Sequence, residues 1–257
     1  MFRLSKLTIL VVLGKEIILR TIEKVKHFSD LRINYNTGPW ETTQNRKKDL
    51  KNYFFQCDCN KCQDKNEDEQ KSSMICPKCE GCVPLSSQCC QKCSRPMGQD
   101  TIENYAFLKI EIKTLLSNND TEGEALEELF KSCVEVFHPY DSSYMRLLFH
   151  LYKRRMKTQN YLGCLELSKK ILTNYTMTCP KYDPRISFHE ISDALTCNAL
   201  EQFDEAKLRF KRAETILQVA YGHKHSLVAK LRDLMMKNEY EKSMKSLKKY
   251  RSKISNE

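Results

Sequence analysis

The chain has few residues that break helices or form tight turns: 7 glycines and 7 prolines among 257 residues. Aromatic residues make up 9% of the chain, and tryptophan occurs once. This composition excludes collagen-like chains and argues against a turn-rich β fold. Charged residues reach 30%, and many of the others are leucine. A mainly helical protein is therefore predicted.

Long hydrophobic runs are also missing. A membrane-spanning helix needs roughly 20 apolar residues. The apolar run from Leu7 to Leu13 near the amino terminus is short, and Gly14-Lys15-Glu16 follows it. No small-residue cleavage site follows either, as a secretory signal would require. We therefore expect no membrane span, no secretion and a cytoplasmic or nuclear location, where cysteines stay reduced.

Positive charge exceeds negative charge, with a formal net charge of +10. The basic side chains are spread along the chain and are concentrated only in the tail KSMKSLKKYRSK, residues 242–253. A solvated terminal helix accounts for this tail. The chain lacks the alternation of aromatic and basic residues expected of nucleic-acid-binding zinc knuckles, so nucleic acid is not predicted as a partner.

The first part of the chain has the pattern of short β-strands. Two runs rich in Ile, Val and Leu, Thr8 to Leu13 and Glu16 to Ile22, flank Gly14-Lys15, which suits a type II′ hairpin turn. A third run, LRINY at residues 31–35, precedes a turn sequence. Three short strands do not form an independently stable domain, so we expect either that another segment packs on them or that part of the domain has been cut away.

From about Thr101 onward, apolar residues recur at the i, i+3, i+4 spacing of amphipathic helices. The segments NYLGCLELSKKIL and EQFDEAKLRFKRAETIL share a cadence typical of tetratricopeptide-type helical hairpins. The predicted fold class is therefore mainly α, a tetratricopeptide-like helical array preceded by a small β part and cysteine-rich zinc-binding segments. Helices are predicted at residues 101–117, 122–137, 141–157, 160–175, 184–200, 202–220 and 224–247.

Nine of the 13 cysteines fall between Cys57 and Cys93. The pattern C-x2-C-x10-C-x2-C supplies two tight turns with two thiolates each, which is a complete tetrahedral zinc site of structural type. Cys82 and Cys89 lie nearby and could substitute for one of these ligands. The predicted ligands are Cys76, Cys79, Cys90 and Cys93. The four remaining cysteines, Cys133, Cys164, Cys179 and Cys197, are predicted to be small buried hydrophobic residues.

An incomplete cysteine cluster precedes this site. Cys57, Cys59 and Cys62 form the pattern C-x-C-x2-C, which is one ligand short of a closed zinc site. Cys82, Cys89 or a histidine such as His27 could supply the fourth ligand, and spacing alone does not decide between them. The charged segment QDKNEDEQKSS, residues 63–73, lacks apolar periodicity and is predicted to be a linker between the two clusters.

These residues resemble a known family. The stretch TILVVLGKEIILRTIEKV…LRINY…RKKDLKNYFFQCDCNKC resembles the last strands of a SET domain running into the post-SET segment of the SET-and-MYND (SMYD) protein-lysine methyltransferases. The stretch AETILQVAYGHKHSLVAKL resembles the closing helices of their tetratricopeptide-like C-terminal domain. The resemblance implies four parts: SET strands at 1–42, a post-SET segment at 43–64, a zinc knuckle and linker at 65–100, and a helical domain at 101–257.

The resemblance also implies roles for individual residues. Tyr35 and Tyr53 match catalytic tyrosines that line the lysine channel, and Phe55 matches the aromatic residue that packs on the adenine of S-adenosylmethionine. In the family, an Asn-His-Ser-Cys motif of the SET core supplies the fourth zinc ligand of the post-SET cluster. Without the resemblance, Tyr53 and Phe55 would be interpreted as aromatics packed on the metal loop.

The implied function is S-adenosylmethionine-dependent methylation of protein lysines. The family's glycine-rich donor-binding motif, its MYND finger and its Asn-His motif have no counterpart in the 257 residues. We therefore expect a fragment of such an enzyme that binds zinc and is inactive alone. The alternative is a non-catalytic, zinc-stabilised helical module that binds partner proteins.

Overall fold

The computed structural model describes residues 6–13, 16–27, 31–34, 38–117 and 123–254. Along these residues, a small sheet is followed by short helices, a cysteine-rich turn region and a series of long helices. The prediction of a mainly helical chain is therefore confirmed. None of the helices in the described ranges is both long and apolar enough to span a membrane.

In the described part of the N-terminal region, three strands form a sheet in the order β2-β1-β3. Strand β1 (Lys6–Leu13) pairs antiparallel with β2 (Glu16–Thr21), so the predicted hairpin strands are confirmed. Strand β3 (Leu31–Ile33) pairs parallel to β1 and is shorter than the predicted run. Gly14-Lys15 and Tyr35 lie outside the described residues, so the turn type stays a prediction.

One face of this sheet leaves apolar side chains exposed. Ile17, Leu19 and Ile33 are exposed by 65%, 48% and 41%, although they are large and hydrophobic. Residues 17 and 19 are two apart on β2 and therefore point to the same side of the sheet. Large exposed apolar groups that are grouped in this way mark surfaces that other protein segments cover.

Short helices connect the sheet to the cysteine-rich region. Helix α1 (Thr43–Leu50) begins after Thr42, whose hydroxyl accepts a hydrogen bond from the Asn45 backbone N–H. A single 3-10 turn, Lys51–Tyr53, ends the helix. Helix α2 (Asn60–Gln63) then spans the end of the first cysteine cluster.

The segment 63–73, predicted to be a linker, is instead folded. It contains α3 (Lys65–Gln70), and its Glu67 carboxylate pairs with Lys61 at 3.3 Å and with Lys71 at 2.9 Å. The Lys71 side chain is almost fully buried. The linker prediction was wrong because ion pairs and helix capping hold this segment, and neither produces an apolar periodicity.

The cysteine-rich region contains two antiparallel strands, β4 (Ser73–Ile75) and β5 (Cys82–Pro84). Strand β4 also forms backbone hydrogen bonds with a distant part of the chain. The Ile75 N–H donates to the Val136 carbonyl at 3.0 Å, and the His138 N–H donates to the Ser73 carbonyl at 3.1 Å. Residues 134–138 therefore lie beside β4, and the helix predicted to reach residue 137 ends at Cys133.

The long helices follow the predicted pattern closely, since each predicted helix is present. Most of their ends lie within three residues of the prediction, and α10 continues seven residues further. Each helix from α6 onward contacts the next one along the chain. Their bounds are α4 Gln99–Ser117, α5 Gly123–Cys133, α6 Ser142–Lys157, α7 Tyr161–Thr178, α8 Pro184–Ala199, α9 Phe203–Tyr221 and α10 Ser226–Ile254.

Among the residues that the structure describes, two hydrophobic clusters form the core. The first extends from Met74 and Val83 in the cysteine-rich region through α4 to α7, and it includes Cys76 and Cys90. The second joins α8, α9 and α10 around residues such as Phe210. The cysteine-rich region thus shares a core with the helices. The scattered cysteines Cys133, Cys164, Cys179 and Cys197 are buried, as predicted.

Glu41 connects the segment before α1 to helix α6. Its carboxylate oxygens accept hydrogen bonds from Arg146 Nε at 2.6 Å and Nη2 at 2.7 Å, and from the Ser142 hydroxyl at 3.1 Å. Burial opposes ionisation of Glu41, but the hydrogen bond and charge of Arg146 outweigh it and lower the pKa of the carboxyl below 4.5.

Because the folded-state pKa of Glu41 is lowered, its stabilisation is present above about pH 4.5 and is lost as the pH falls through the folded-state value. Glu41→Gln should lower the free energy of unfolding by about 2 kcal/mol at neutral pH, and this difference should shrink in acid. Urea unfolding at several pH values measures it. The exposed Glu135→Gln variant is the control, and a Glu41→Gln deficit that does not change with pH would contradict the prediction.

Candidate metal centres

The second cysteine cluster consists of two turns with the same backbone geometry. In the turn of residues 76–81, the Glu80 N–H donates to the Cys76 carbonyl at 2.8 Å, and the Cys76 N–H donates to the Gly81 carbonyl at 2.9 Å. The turn of residues 90–95 repeats both hydrogen bonds with the same lengths. Glu80 and Ser94, which follow the second cysteine of each turn, both have a φ of 57°.

The four thiols of this cluster lie at distances suited to one zinc ion. All four Sγ atoms are within 4.8 Å of one another. The Cys76–Cys93 and Cys79–Cys90 Sγ distances are 3.7 and 3.4 Å. Sulfurs placed tetrahedrally about 2.3 Å from zinc would be about 3.8 Å apart. The donor set and its spacing therefore fit zinc.

Gly81 allows the two turns to approach each other. A Cβ atom at this position would lie 2.9 Å from Cys90 Sγ and 2.8 Å from the Lys92 Cβ. Both distances are shorter than van der Waals contact, and backbone or ligand atoms would have to move. Glycine is required here because any side chain would occupy the space between the thiols.

Backbone N–H groups favour the thiolate form of Cys76 and Cys90. At Cys79 the Gly81 N–H lowers the pKa, but burial and the neighbouring thiols outweigh it and raise the pKa to about 12. The Lys92 N–H lies 3.4 Å from Cys90 Sγ. Burial opposes ionisation of Cys90, but backbone N–H groups of Cys93 and Lys92 lower its pKa to about 6. Hydrogen bonds from the backbone N–H groups of Lys78 and Cys79 likewise lower the pKa of Cys76, against the effect of burial. Zinc binds the thiolate form, so these turns are suited to metal binding.

Cys82 and Cys89, which spacing left as possible substitutes, lie outside this group of thiols. Cys82 is buried on β5, and burial raises the pKa of its thiol. Cys89 is exposed, and its backbone forms a bridge with Pro96. Neither has the position of a ligand to the second cluster.

The first cluster brings three thiols together. The Sγ atoms of Cys57, Cys59 and Cys62 lie within 4.8 Å of one another and are partly exposed. Within the described ranges, no further Cys, His, Asp or Glu atom joins them, so His27, Cys82 and Cys89 do not complete this site. The neighbouring Cys62 thiol lowers the pKa of Cys59 to about 7, and Cys59 in turn raises that of Cys62.

The Arg46 guanidinium contacts the first cluster, which the sequence pattern did not indicate. The nearby Lys61 and Lys71 side chains pair with Glu67. The Arg46 Nη2 atom lies 3.6 Å from Cys62 Sγ. The Lys61 Nζ atom donates to the Thr178 carbonyl at the end of α7 at 3.1 Å. Burial, then the charges of Lys61 and Arg46, lower the pKa of the Lys71 ammonium to about 8. Cations near thiols favour thiolates.

The aromatic residues before the first cluster are partly exposed. Tyr53 and Phe55 keep 53% and 39% of their accessible surface, and Phe54 between them keeps 97%. Phe54 also has a left-handed φ of 58°, which is uncommon for a bulky residue. The structure thus does not bury Tyr53 and Phe55 in a core. Tyr35, predicted to be catalytic, lies outside the described residues, so its proximity to Tyr53 is not tested.

Comparison with known proteins identifies relatives at low identity. N-lysine methyltransferase SMYD2-A of Xenopus laevis is 21% identical over 220 residues, covering 83% of this chain and 47% of that protein. SMYD2-B of Danio rerio is 23% identical and covers 71% of this chain and 40% of that protein. SMYD2 of Homo sapiens is 20% identical, with coverages of 83% and 47%. No protein-family model matches the chain.

The fold and the two clusters define a mainly helical protein with a small sheet and cysteine groups that could hold zinc. The matches show that this chain is homologous to the SMYD proteins, as the motifs predicted. The chain spans less than half the length of these curated relatives, which fits a correspondence to part of them.

Proposed function

We propose that this chain is the post-SET and C-terminal helical portion of a SMYD-like protein-lysine N-methyltransferase that uses S-adenosylmethionine. The observation that carries the proposal is the partly exposed Tyr53 and Phe55 directly before the three thiols of Cys57, Cys59 and Cys62, in a chain homologous to SMYD2. The substrate would be a lysine of a partner protein. A cytoplasmic or nuclear location is part of the proposal.

Methyl transfer to lysine requires a pocket that orients the two reactants, and the protein itself forms no covalent bond. S-adenosylmethionine supplies a methyl group on a sulfonium centre, and the lysine nitrogen forms a bond to this methyl as the sulfur–carbon bond breaks. The amine has to be deprotonated and aligned before it can attack. The hydroxyls of Tyr35 and Tyr53 would orient the amine, and the ring of Phe55 would pack on the adenine.

In this proposal both cysteine clusters bind zinc, and the metal stabilises structure. The second cluster would be closed by Cys76, Cys79, Cys90 and Cys93. The first would bind zinc through three thiolates, with a fourth ligand from outside the described residues. Three thiolates and one further ligand make a four-coordinate site, as structural zinc prefers.

The 257 residues by themselves are proposed to be inactive, because the family's main cofactor-binding segments have no counterpart among them. We expect isothermal titration of this polypeptide with S-adenosylmethionine to show no saturable binding at micromolar concentrations. A micromolar dissociation constant would contradict the proposed inactivity. If binding occurred, Phe55→Ala, with Phe107→Ala on an exposed face of α4 as control, would test the adenine-packing role.

The sequence of the transcript upstream of the Met1 codon tests the proposal that this chain is part of a SMYD-like methyltransferase. We expect an in-frame Asn-His-Ser-Cys motif there, which would supply the fourth ligand to the first cluster. An in-frame stop codon in place of such a motif would contradict the proposal and favour the alternative below.

The alternative is a non-catalytic, zinc-stabilised interaction module with a tetratricopeptide-like array. It is favoured by the solvent side of α10, where Met236, Tyr240, Met244 and Leu247 are exposed at helical spacing. Terminal helices of repeat arrays usually have a polar outer face, because this face is not covered by a further repeat. An apolar outer face is typical of a surface that binds another protein.

A further inference from the structure

Arg46 has surroundings that are unusual for an arginine. Only 5% of the residue is exposed, although arginine is rarely buried unless it is paired. Its guanidinium Nη1 donates to the Glu41 carbonyl at 2.5 Å, and its Nη2 donates to the Thr43 hydroxyl at 2.8 Å. These contacts fix the guanidinium against the start of α1.

The same guanidinium reaches across to the first cysteine cluster, 15 or more residues later in the chain. Its Nη2 atom lies 3.2 Å from the Lys61 carbonyl and 3.6 Å from Cys62 Sγ. Lys61 stands next to Cys62 within α2, so one planar group holds both the backbone and the thiol of this turn. A rigid fork of donors is a property of arginine that lysine lacks.

Besides holding the Cys62 turn in place, the Arg46 guanidinium contributes positive charge next to the thiols. Three thiolates and one divalent metal ion carry a net charge of about −1, and the guanidinium adjacent to Cys62 offsets it. The guanidinium is buried and the Cys62 thiol is partly exposed, so water screens this pair less than it would a fully exposed pair. Groups that hydrogen-bond to metal ligands orient them and tune metal affinity.

The second cluster is arranged differently. There, the Cys90 thiol accepts from the Lys92 backbone N–H, and the Lys92 ammonium lies 3.4 Å from the Cys79 carbonyl. Among the described residues, the thiol that Arg46 contacts is Cys62, which belongs to the first cluster. A change at Arg46 should therefore act on one cluster and not on the other.

We propose that Arg46 is a positioning residue for a metal site formed by Cys57, Cys59 and Cys62, holding the Cys62 turn against α1 and offsetting the charge of the metal–thiolate group. This inference rests on the proposed metal binding by the first cluster. It concerns a residue outside the ligand set, and it needs no catalytic activity for its test.

The test compares metal affinities of Arg46→Gln, Arg46→Lys and the parent chain, with Lys47→Gln as the control on an exposed position of the same helix. Co²⁺ is titrated into reduced apoprotein while thiolate charge-transfer and d–d absorption are recorded, and Zn²⁺ affinity follows by competition with a chromophoric chelator. A Cys62→Ser variant assigns the absorption of the first cluster.

We expect Arg46→Gln to lower the affinity of the first cluster by about 10- to 100-fold, as loss of a hydrogen-bonding partner of a metal ligand typically does. Arg46→Lys keeps the positive charge but not the planar set of donors, and the affinity of the first cluster should fall less than in Arg46→Gln. The second cluster should keep its affinity in every variant, and Lys47→Gln should match the parent.

Equal affinities of the first cluster in Arg46→Gln and Lys47→Gln would overturn the role of Arg46, as would a parallel loss at both clusters. If Arg46→Gln does not fold by circular dichroism, a folded Arg46→Lys with parental affinity overturns it. A parent chain whose Co²⁺ absorption is unchanged by Cys62→Ser would instead show that the first cluster binds no metal. That result refutes the proposed site and, with it, the inference.

Discussion

Replacing Cys90 by serine should remove about one equivalent of zinc per chain and unfold the cysteine-rich region. Cys90 is buried in the first core cluster, and its thiol lies 3.4 Å from that of Cys79. Structural zinc supplies an apparent binding free energy of about 10 to 16 kcal/mol to small metal-binding segments. Because the segment 73–97 shares its core with α4 to α7, the loss should also lower the stability of these helices.

The adjacent cysteine provides the matched control for this experiment. Cys89→Ser changes an exposed thiol outside the cluster and should keep the full zinc content and the parental melting temperature. Metal content is measured by plasma emission spectrometry after gel filtration, and unfolding by circular dichroism. Loss of zinc in Cys89→Ser together with retention in Cys90→Ser would show that the ligand set is wrong.

Asp141→Ala should destabilise the protein by roughly 3 to 5 kcal/mol. The Asp141 carboxylate is fully buried before α6 and accepts from the Ser143 and Tyr144 N–H groups at 2.8 and 3.0 Å. It also accepts from the Tyr105 hydroxyl of α4 at 2.6 Å and from the Ser73 N–H of β4 at 3.3 Å. One side chain therefore joins two helices and the cysteine-rich region.

The expected loss is large because several buried donors would lose their acceptor together, each at a cost of about 1 to 3 kcal/mol. Asp141→Asn keeps an acceptor oxygen at this position, so its free energy of unfolding should fall less than that of Asp141→Ala. Asp100→Ala, in the exposed first turn of α4, is the control and should change the free energy of unfolding by about 0.5 kcal/mol or less. A loss for Asp141→Ala in urea unfolding as small as that of the control would contradict the prediction.

Much of the fold could be predicted from the sequence because the relevant contacts are local. Helical periodicity depends on residues three and four apart, so the helices from α4 to α10 were predicted with most ends within a few residues. The spacing of Cys76, Cys79, Cys90 and Cys93 predicted one cluster, and these four thiols lie together. The motifs also predicted the homology to SMYD proteins that the matches show.

Other features could not be predicted because the contacts that form them join distant residues. The segment 63–73 contains helix α3, which is held by ion pairs of Glu67, and such pairs leave no periodic pattern. Helix α5 ends at Cys133 because residues 134–138 hydrogen-bond to β4. The parallel pairing of β3 with β1 likewise involves strands that are not consecutive, and a short apolar run does not encode its partner.

The sequence by itself determined the helical class, the cysteine spacing and the family relationship, because each is a pattern among neighbouring residues. Only the tertiary structure decided that the second cluster shares a core with the helices and that Arg46 lies against Cys62. Both depend on chain segments that meet through folding, since burial and hydrogen bonding between distant residues have no signature in local spacing.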